Sequence, residues 1–254
     1  MTRSKSALRS PGPRSPSKAK RATPAKDVPA TALSPKGEAV RERILGVALE
    51  VFARAGFKNA TTREIVEAAG VNLPALHYYF GSKEDLYRAC AEAVVERYRT
   101  QMGGVREQAL EMLRTNPSPE AARGHLQGRM RTLATFLTGA REAPTWGWFI
   151  ARLMTNPGGG LEILQTRLWE PGVKLVADLI SVVGGYNETA ARMRAIWLIS
   201  NAMTFQAGQQ VSLQLVGWRR VGPAELDALL REMDAQIDEI GSSRRRGDNR
   251  RPAS

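Results

Sequence analysis

Between residues 61 and 83 the chain carries side chains suited to holding polar partners rather than breaking bonds: Thr61 and Thr62, Asn72, His77, Tyr78 and Tyr79, then Lys83. Hydroxyl, amide and imidazole groups donate to or accept from polar edges, and an ammonium group attracts phosphate-like anions. No catalytic or metal-binding set accompanies them. Cys90 is the single thiol, and His77 and His125 are widely separated, so no Cys/His zinc site is expected. Gly-x-Ser-x-Gly, Walker and dinucleotide glycine motifs are absent, and Gly158-Gly159-Gly160 has no strand before it. No cofactor and no metal are expected, and the residues argue against an enzyme.

The elements that must position these side chains read as helices. Ile44, Ala48, Val51, Phe52 and Ala55 follow 3/4 spacing, with Arg41, Glu42 and Arg43 outward, which predicts a helix over 37–55 stopped by Gly56. Thr61 and Glu64 form a capping-box pattern opening a short helix to Ala69, and Gly70 ends it. Asn72 suits the N-cap of a third helix over 73–80, where Pro74 in the first turn costs little. Ser82 with Asp85 repeats the capping box and opens a helix carrying Leu86, Cys90, Val94 and Tyr98 to a stop at Gly103-Gly104. Further helices are predicted at 105–114, 119–139, 145–155, 161–183 with a break near Pro171, 188–218, and 223–240 ending at Gly241. Asn187-Glu188-Thr189 matches a glycosylation acceptor but reads more simply as a helix N-cap. Strand alternation is absent, so the predicted fold class is all-α with about nine helices.

Two short helices around Gly70-Val71-Asn72 have the layout of a helix-turn-helix, whose second helix enters the DNA major groove. Leu73, Leu76 and Phe80 would pack inward, leaving Pro74, Ala75, His77, Tyr78 and Tyr79 nearer the DNA, with Tyr79 half core and half contact. The competing reading is that His-Tyr-Tyr-Phe is simply the edge of a core.

The pattern Arg43-Ile44 through Phe52-Ala53, Gly56-Phe57, Thr61-Thr62, Ile65-Val66, Ala69-Gly70-Val71 and above all Ala75-Leu76-His77-Tyr78-Tyr79-Phe80-Gly81-Ser82-Lys83-Glu84-Asp85-Leu86 resembles the N-terminal domain of TetR-family transcriptional repressors. The resemblance covers roughly residues 38–87, and the run ending in Asp85-Leu86-Tyr87 looks most like the CecR subgroup. It implies DNA contact through a hydroxyl at Thr61 or Thr62, through His77 and Tyr78, and through Lys83 at the start of helix four, where free amides also attract phosphate. The sequence departs from the family at His77, where many members carry Tyr.

Charge supports a nucleic-acid partner only indirectly. The 254 residues have a formal charge of +12, but residues 37–240 balance 23 basic against 23 acidic side chains, and the excess lies in the tails 1–36 and 241–254. Residues 37–87 themselves hold six basic and seven acidic side chains. The N-terminal tail contains Ser15-Pro16-Ser17-Lys18, Thr23-Pro24-Ala25-Lys26 and Ser34-Pro35-Lys36, resembling basic arms of linker-histone-like proteins, and is read either as a disordered arm along DNA or as a solubilising extension. The tail with Arg244-Arg245-Arg246 reads as solvated and disordered. No apolar signal region and no 18-residue apolar stretch occur, so a soluble cytoplasmic protein is expected.

Residues 88–240 are expected to form a sensor and dimerisation domain. The family resemblance implies a homodimer through the last two helices, with Ile196, Trp197, Met203 and Val211 on one and Leu226, Leu230, Met233 and Ile237 on the other. Met130, Phe136, Trp146, Phe149, Met154 and Trp169 can line a pocket for a small, largely apolar effector, or fill the core without one. The function expected is a dimeric, sequence-specific regulator, a repressor released from a palindromic operator. The alternatives are a non-specific architectural DNA-binding protein using its basic tails, and a helical enzyme.

Overall fold

Ser34 sets the start of the first helix: its hydroxyl accepts from Gly37 N at 3.2 Å, and Pro35 follows in the first turn, where a missing amide proton costs nothing. Ser34-Pro35-Lys36 is therefore a helix start and not the end of a basic arm. The computed structural model describes residues 34–139, 143–155, 159–207 and 209–248. The expected arm over 1–33 and residues 249–254 of the C-terminal tail lie outside them.

The described chain is helical throughout, with no strand: α1 (Pro35–Asn59), α2 (Thr62–Ala69), α3 (Leu73–Phe80), α4 (Lys83–Arg114), α5 (Pro119–Gly139), α6 (Ala143–Thr155), α7 (Leu161–Leu164), a π-helical turn (Gln165–Trp169), α8 (Glu170–Gly184), α9 (Glu188–Ala207), α10 (Gln209–Leu215) and α11 (Pro223–Asp248). No described helix is long and apolar enough to cross a membrane. Gly56, at φ 74°, breaks the helical path of α1 just before Phe57, as its sequence position predicts. Asn187 Oδ1 accepts from Ala190 N at 2.9 Å, which makes it the N-cap of α9.

Four helix boundaries differ from the prediction. α4 runs through Gly103-Gly104 without stopping, because Met102 and Ala109 are buried on either side and tertiary packing outweighs a propensity cost of about 1 kcal/mol per glycine. The predicted break near Pro171 is a widened turn that ends at Trp169, two residues earlier. An α-helical turn would drive the proline ring into the carbonyl four residues back, and the π geometry relieves that clash. The predicted helix 188–218 is two helices: Ser212 Oγ donates to Thr204 O at 3.3 Å, whereas residues eight apart in a straight helix are separated by about 12 Å. Finally, α11 passes Gly241 and continues to Asp248, so Arg244–Arg246 are helical in backbone rather than a disordered tail. Gly241 is buried, and a Cβ there would lie 2.8 Å from Arg123 Nη2, so the glycine serves close packing rather than termination.

α1 packs on α2, α4 and α6, while α5 packs on α4, α8, α9 and α11, and the two halves share α4. Phe52 of α1 meets Tyr87 of α4 edge-on at 4.8 Å, and Tyr87 meets Phe149 of α6 at 5.2 Å. This aromatic chain is buried and joins the N-terminal helices to the rest of the core.

Candidate nucleic-acid interface and interior cavity

Local hydrogen bonds fix the α2–α3 unit. Thr61 Oγ1 accepts from Glu64 N at 3.1 Å and caps α2, but the reciprocal half of the predicted capping box is missing because Glu64 pairs with Arg54 of α1 instead. Gly70 ends α2 in the left-handed region, φ 61° and ψ 40°, which a side chain would resist. Asn72 Oδ1 then accepts from Ala75 N at 3.0 Å and starts α3 in the new direction. Ile65, Leu76 and Phe80 are buried, with α2 packed on α1 and α3 packed on α2 and α4.

With α3 anchored that way, its outer face is Pro74, His77 and Tyr78, with Ala75 and Tyr79 half-buried beside them. Tyr78 is 75% exposed and edges against Tyr79 at 5.0 Å, so one ring supports the other. His77 Nδ1 lies 2.6 Å from Gly81 O, and since a carbonyl only accepts, Nδ1 carries the proton. With Nδ1 so engaged, Nε2 is the ring nitrogen left for a further partner. Leu73 departs from prediction: at the first position of α3 it lies past the packed face and is 42% exposed. Thr61 and Asn72 are exposed, and Thr62 is half-buried.

Lys83 opens α4 behind a complete capping box, in which Ser82 Oγ accepts from Asp85 N at 3.1 Å and Asp85 Oδ2 accepts from Ser82 N at 3.2 Å. Its Nζ stands 4.6 Å above the Phe57 ring. The ring holds the ammonium beside the free amides of the helix start, the arrangement that draws a phosphate.

From Lys83, α4 runs unbroken to a cavity of about 510 Å³ between α4, α5 and α8. Arg106, on its wall, is about 35 Å along the helix from Lys83. Two of the expected pocket residues, Met130 and Trp169, line the cavity, with Met102, Leu133 and Val176 as apolar neighbours. The other four do not. Phe136, Trp146 and Phe149 are buried core, Phe136 packed edge-on to Tyr98 at 5.1 Å and tilted against Trp146 at 5.5 Å, and Met154 is 62% exposed on α6. Large apolar side chains fill space, whereas the cavity opens where Gly103 and Gly172 leave it, and nothing lies within 4 Å of a Cβ built on either glycine.

Sequence reasoning missed the cavity's charged members. Arg129 falls on the apolar register of Ala122, Leu126 and Leu133, yet it is 8% exposed, and its Nη1 is buried without a hydrogen-bond partner. Burial first, then the nearby Arg106 charge, pulls its pKa down to about 10. A charge on an apolar stripe was the available signal. No group of His, Cys, Asp and Glu among the described residues is placed to hold a metal ion.

The expected dimer residues divide. Ile196, Trp197 and Val211 are exposed, together with Met193 and Leu215. Leu230, Met233 and Ile237 are buried within the protomer and are not free interface side chains, while Leu226 and Met203 are half-buried against the same core. Arg131–Asp234 at 3.0 Å and Arg123–Asp238 at 3.6 Å flank that seam and hold α11 on α5.

Against known proteins, residues 44–90 match the family described as "Bacterial regulatory proteins, tetR family", and residues 122–240 match the C-terminal domain of the HTH-type transcriptional dual regulator CecR. The chain is 30% identical to CecR from Shigella flexneri over 213 residues, covering 82% of this chain and 94% of that protein. It is 30% identical over 163 residues to the HTH-type transcriptional activator FasR of Mycolicibacterium smegmatis, covering 63% and 67%. Among solved structures, a transcriptional regulator from a Rhodococcus species superposes with a TM-score of 0.54 at 17% identity, covering 79% of this chain and 95% of that one. A TetR-family protein from Mesorhizobium loti does so with 0.54 at 16%, covering 82% and 98%.

Proposed function

The chain belongs to the TetR family of transcriptional regulators, and from that premise we propose that it is a dimeric cytoplasmic repressor that binds a palindromic operator through α3 and leaves it when a small molecule fills the α4–α5–α8 cavity. The family is one of DNA-binding regulators and not of enzymes. The observation that carries the reading is α3 itself: Leu76 and Phe80 are buried while His77 and Tyr78 face outward with polar atoms free for base edges or phosphates. Thr61, Asn72, Pro74 and Ala75 flank that face, and Lys83 takes a neighbouring phosphate.

Dimerisation follows from an uncovered apolar strip. Met193, Ile196 and Trp197 share one face of α9, and Val211 and Leu215 extend it on α10, a patch of the kind that soluble proteins bury against a second copy. Two α3 helices related by a two-fold axis then read half-sites about 34 Å apart. Release follows from geometry: the cavity wall includes α4, whose first residue is Lys83, and Ile150 of α6, which packs on α1. A ligand that prefers a shifted α4 or α6 therefore disfavours the spacing the operator requires.

Genomic footprinting tests the reading. The expected result is protection of two inverted half-sites one helical turn or a multiple of it apart, with affinity roughly 10³-fold or more above random DNA at physiological salt. Uniform coating of DNA would mean an architectural protein instead. Trp197→Asp is expected to give a monomer in light scattering and to lose the operator. A reporter whose transcription falls on deletion of the gene would replace repression by activation.

A further inference from the structure

The cavity holds a charge that the protein does not balance. Arg129 as a residue is more than nine-tenths buried, and its buried Nη1 has no partner. Arg106 borders the same cavity from α4 and adds like charge beside it. The other arginines on the wall are engaged, Arg99 with Glu96 at 3.5 Å and Arg167 with Glu92. Glu107 is the remaining carboxylate on the wall, and no ion pair joins it to Arg129 or Arg106. A buried, unpaired guanidinium destabilises a fold strongly, and an ordinary core would carry Leu or Met in its place. Met102, Met130, Leu133, Val176 and Trp169 make an apolar stretch of the lining, beside Tyr98, Thr100 and Thr166.

We propose that Arg129 and Arg106 receive the anionic head of an amphipathic ligand, a carboxylate or a phosphate monoester, whose apolar body lies along the Met102, Met130, Leu133, Val176 and Trp169 wall. This rests on the effector reading of the cavity and narrows it: the ligand is charged at one end. A guanidinium fork matches two oxygens of such a head, and pairing within a half-enclosed apolar space strengthens each hydrogen bond. The π-helical turn contributes Thr166 to Trp169 to the wall, and such turns recur at ligand sites.

Decanoate, decyl phosphate, decanol and decylamine separate the possibilities, titrated calorimetrically into the full-length protein and into its Arg129→Met, Arg129→Lys and Arg106→Gln variants. The expected result is that one or both anions bind at least ten-fold more tightly than decanol and that decylamine does not bind. Which of the two wins names the head. Arg129→Met lowers anion affinity by about 10- to 100-fold and leaves decanol unchanged. Arg129→Lys, which keeps the charge and loses the fork, and Arg106→Gln each give smaller losses. Without ligand, Arg129→Met melts above the parent, and inorganic phosphate raises the melting temperature of the parent but not of this variant. Equal binding of decanol and decanoate, indifferent to Arg129→Met, would overturn the anionic head while leaving an apolar effector in place. Failure of all four probes together with no effect of phosphate would overturn it outright. Anion binding with the expected variant pattern, yet without operator release, would keep the site and remove the effector reading. If Arg129→Met does not fold, undiminished anion affinity in Arg129→Lys and Arg106→Gln overturns the proposal in its place.

Discussion

The α2–α3 face and the α4–α5–α8 cavity treat polar side chains in opposite ways. On the face, polar groups are satisfied within three or four residues along the chain: Thr61 by Glu64, Asn72 by Ala75, His77 by Gly81, Ser82 by Asp85. Around the cavity, besides the local Arg99–Glu96 pair, some partners come from far away, with Glu92 and Arg167 separated by 75 residues and Tyr98 and Gln206 by 108. Arg129 Nη1, at the cavity, has no partner at all. The α2–α3 face is assembled from local caps, which suits the proposed presentation of fixed donors to DNA. The cavity draws in part on distant pieces and keeps one polar demand unmet, which suits the proposed response to a ligand.

The largest expected effect tests whether the two regions are mechanically joined. Phe52 is fully buried and meets Tyr87, which in turn meets Phe149. Phe52→Ala should cost about 3–5 kcal/mol of stability. Urea unfolding should show one transition at a lower midpoint, followed equally by tryptophan fluorescence from the cavity side and by loss of operator binding. Two separated transitions would show that α1, α4 and α6 do not transmit strain between cavity and face.

Next comes the face itself. Tyr78→Ala should weaken operator binding by about 10- to 100-fold, corresponding to one good base or phosphate contact, while stability changes by less than about 0.5 kcal/mol because the ring is exposed. Leu76→Ala, two residues away in the same helix but fully buried, should lose both. A Tyr78 variant with undiminished operator affinity would move recognition off this face.

Smaller again is the capping term. Asn72→Ala removes the side-chain acceptor for Ala75 N and should cost about 1 kcal/mol by thermal unfolding. If the face is rigid because of its caps, operator affinity falls with it. An Asn72 variant that loses stability and keeps full affinity would mean that α3 is held by Leu76 and Phe80 alone.

The contrast also explains what could be read without coordinates. Caps and turns are functions of three or four neighbouring residues, so Asn72, Gly70 and the Ser82–Asp85 box announced α2, α3 and the start of α4. The exposed face of α3 followed from their spacing. The cavity did not follow, because size and apolarity cannot tell a residue that fills space from one that borders a space. Phe136, Trp146 and Phe149 went into the core, and the glycines at 103 and 172, read as a stop and as nothing, border the opening. The same confusion assigned Leu230, Met233 and Ile237 to an interface, since an apolar stripe on α11 looks identical whether it meets a second copy or α5 and α8. Ile196 and Trp197 became distinguishable only once their exposure was known.

The smallest expected effect bears on the joint between the two regions. The Tyr87 hydroxyl is buried where α1, α4 and α6 meet and has no hydrogen-bond partner, so the fold carries its desolvation cost without return. Tyr87→Phe keeps the ring contacts and removes that cost, and should raise stability by about 1 kcal/mol with operator affinity unchanged. Its pH dependence supplies an independent check. Burial, and secondarily the neighbouring Cys90, pushes the Tyr87 hydroxyl up to about 12, because the interior accepts only the neutral form. In the unfolded chain the same group ionises near 10. Stability is therefore independent of this group's ionisation below pH 10 and falls as pH rises from 10 towards 12, where the unfolded chain ionises and the folded one does not. Tyr98, also raised to about 12 by burial, adds the same trend in parent and variant alike. The parent should thus lose stability between pH 10 and 12 more steeply than Tyr87→Phe, by about 1.4 kcal/mol per pH unit at most. Parallel curves would mean that the hydroxyl reaches water, and that the joint is looser than the aromatic contacts at Phe52 and Phe149 require.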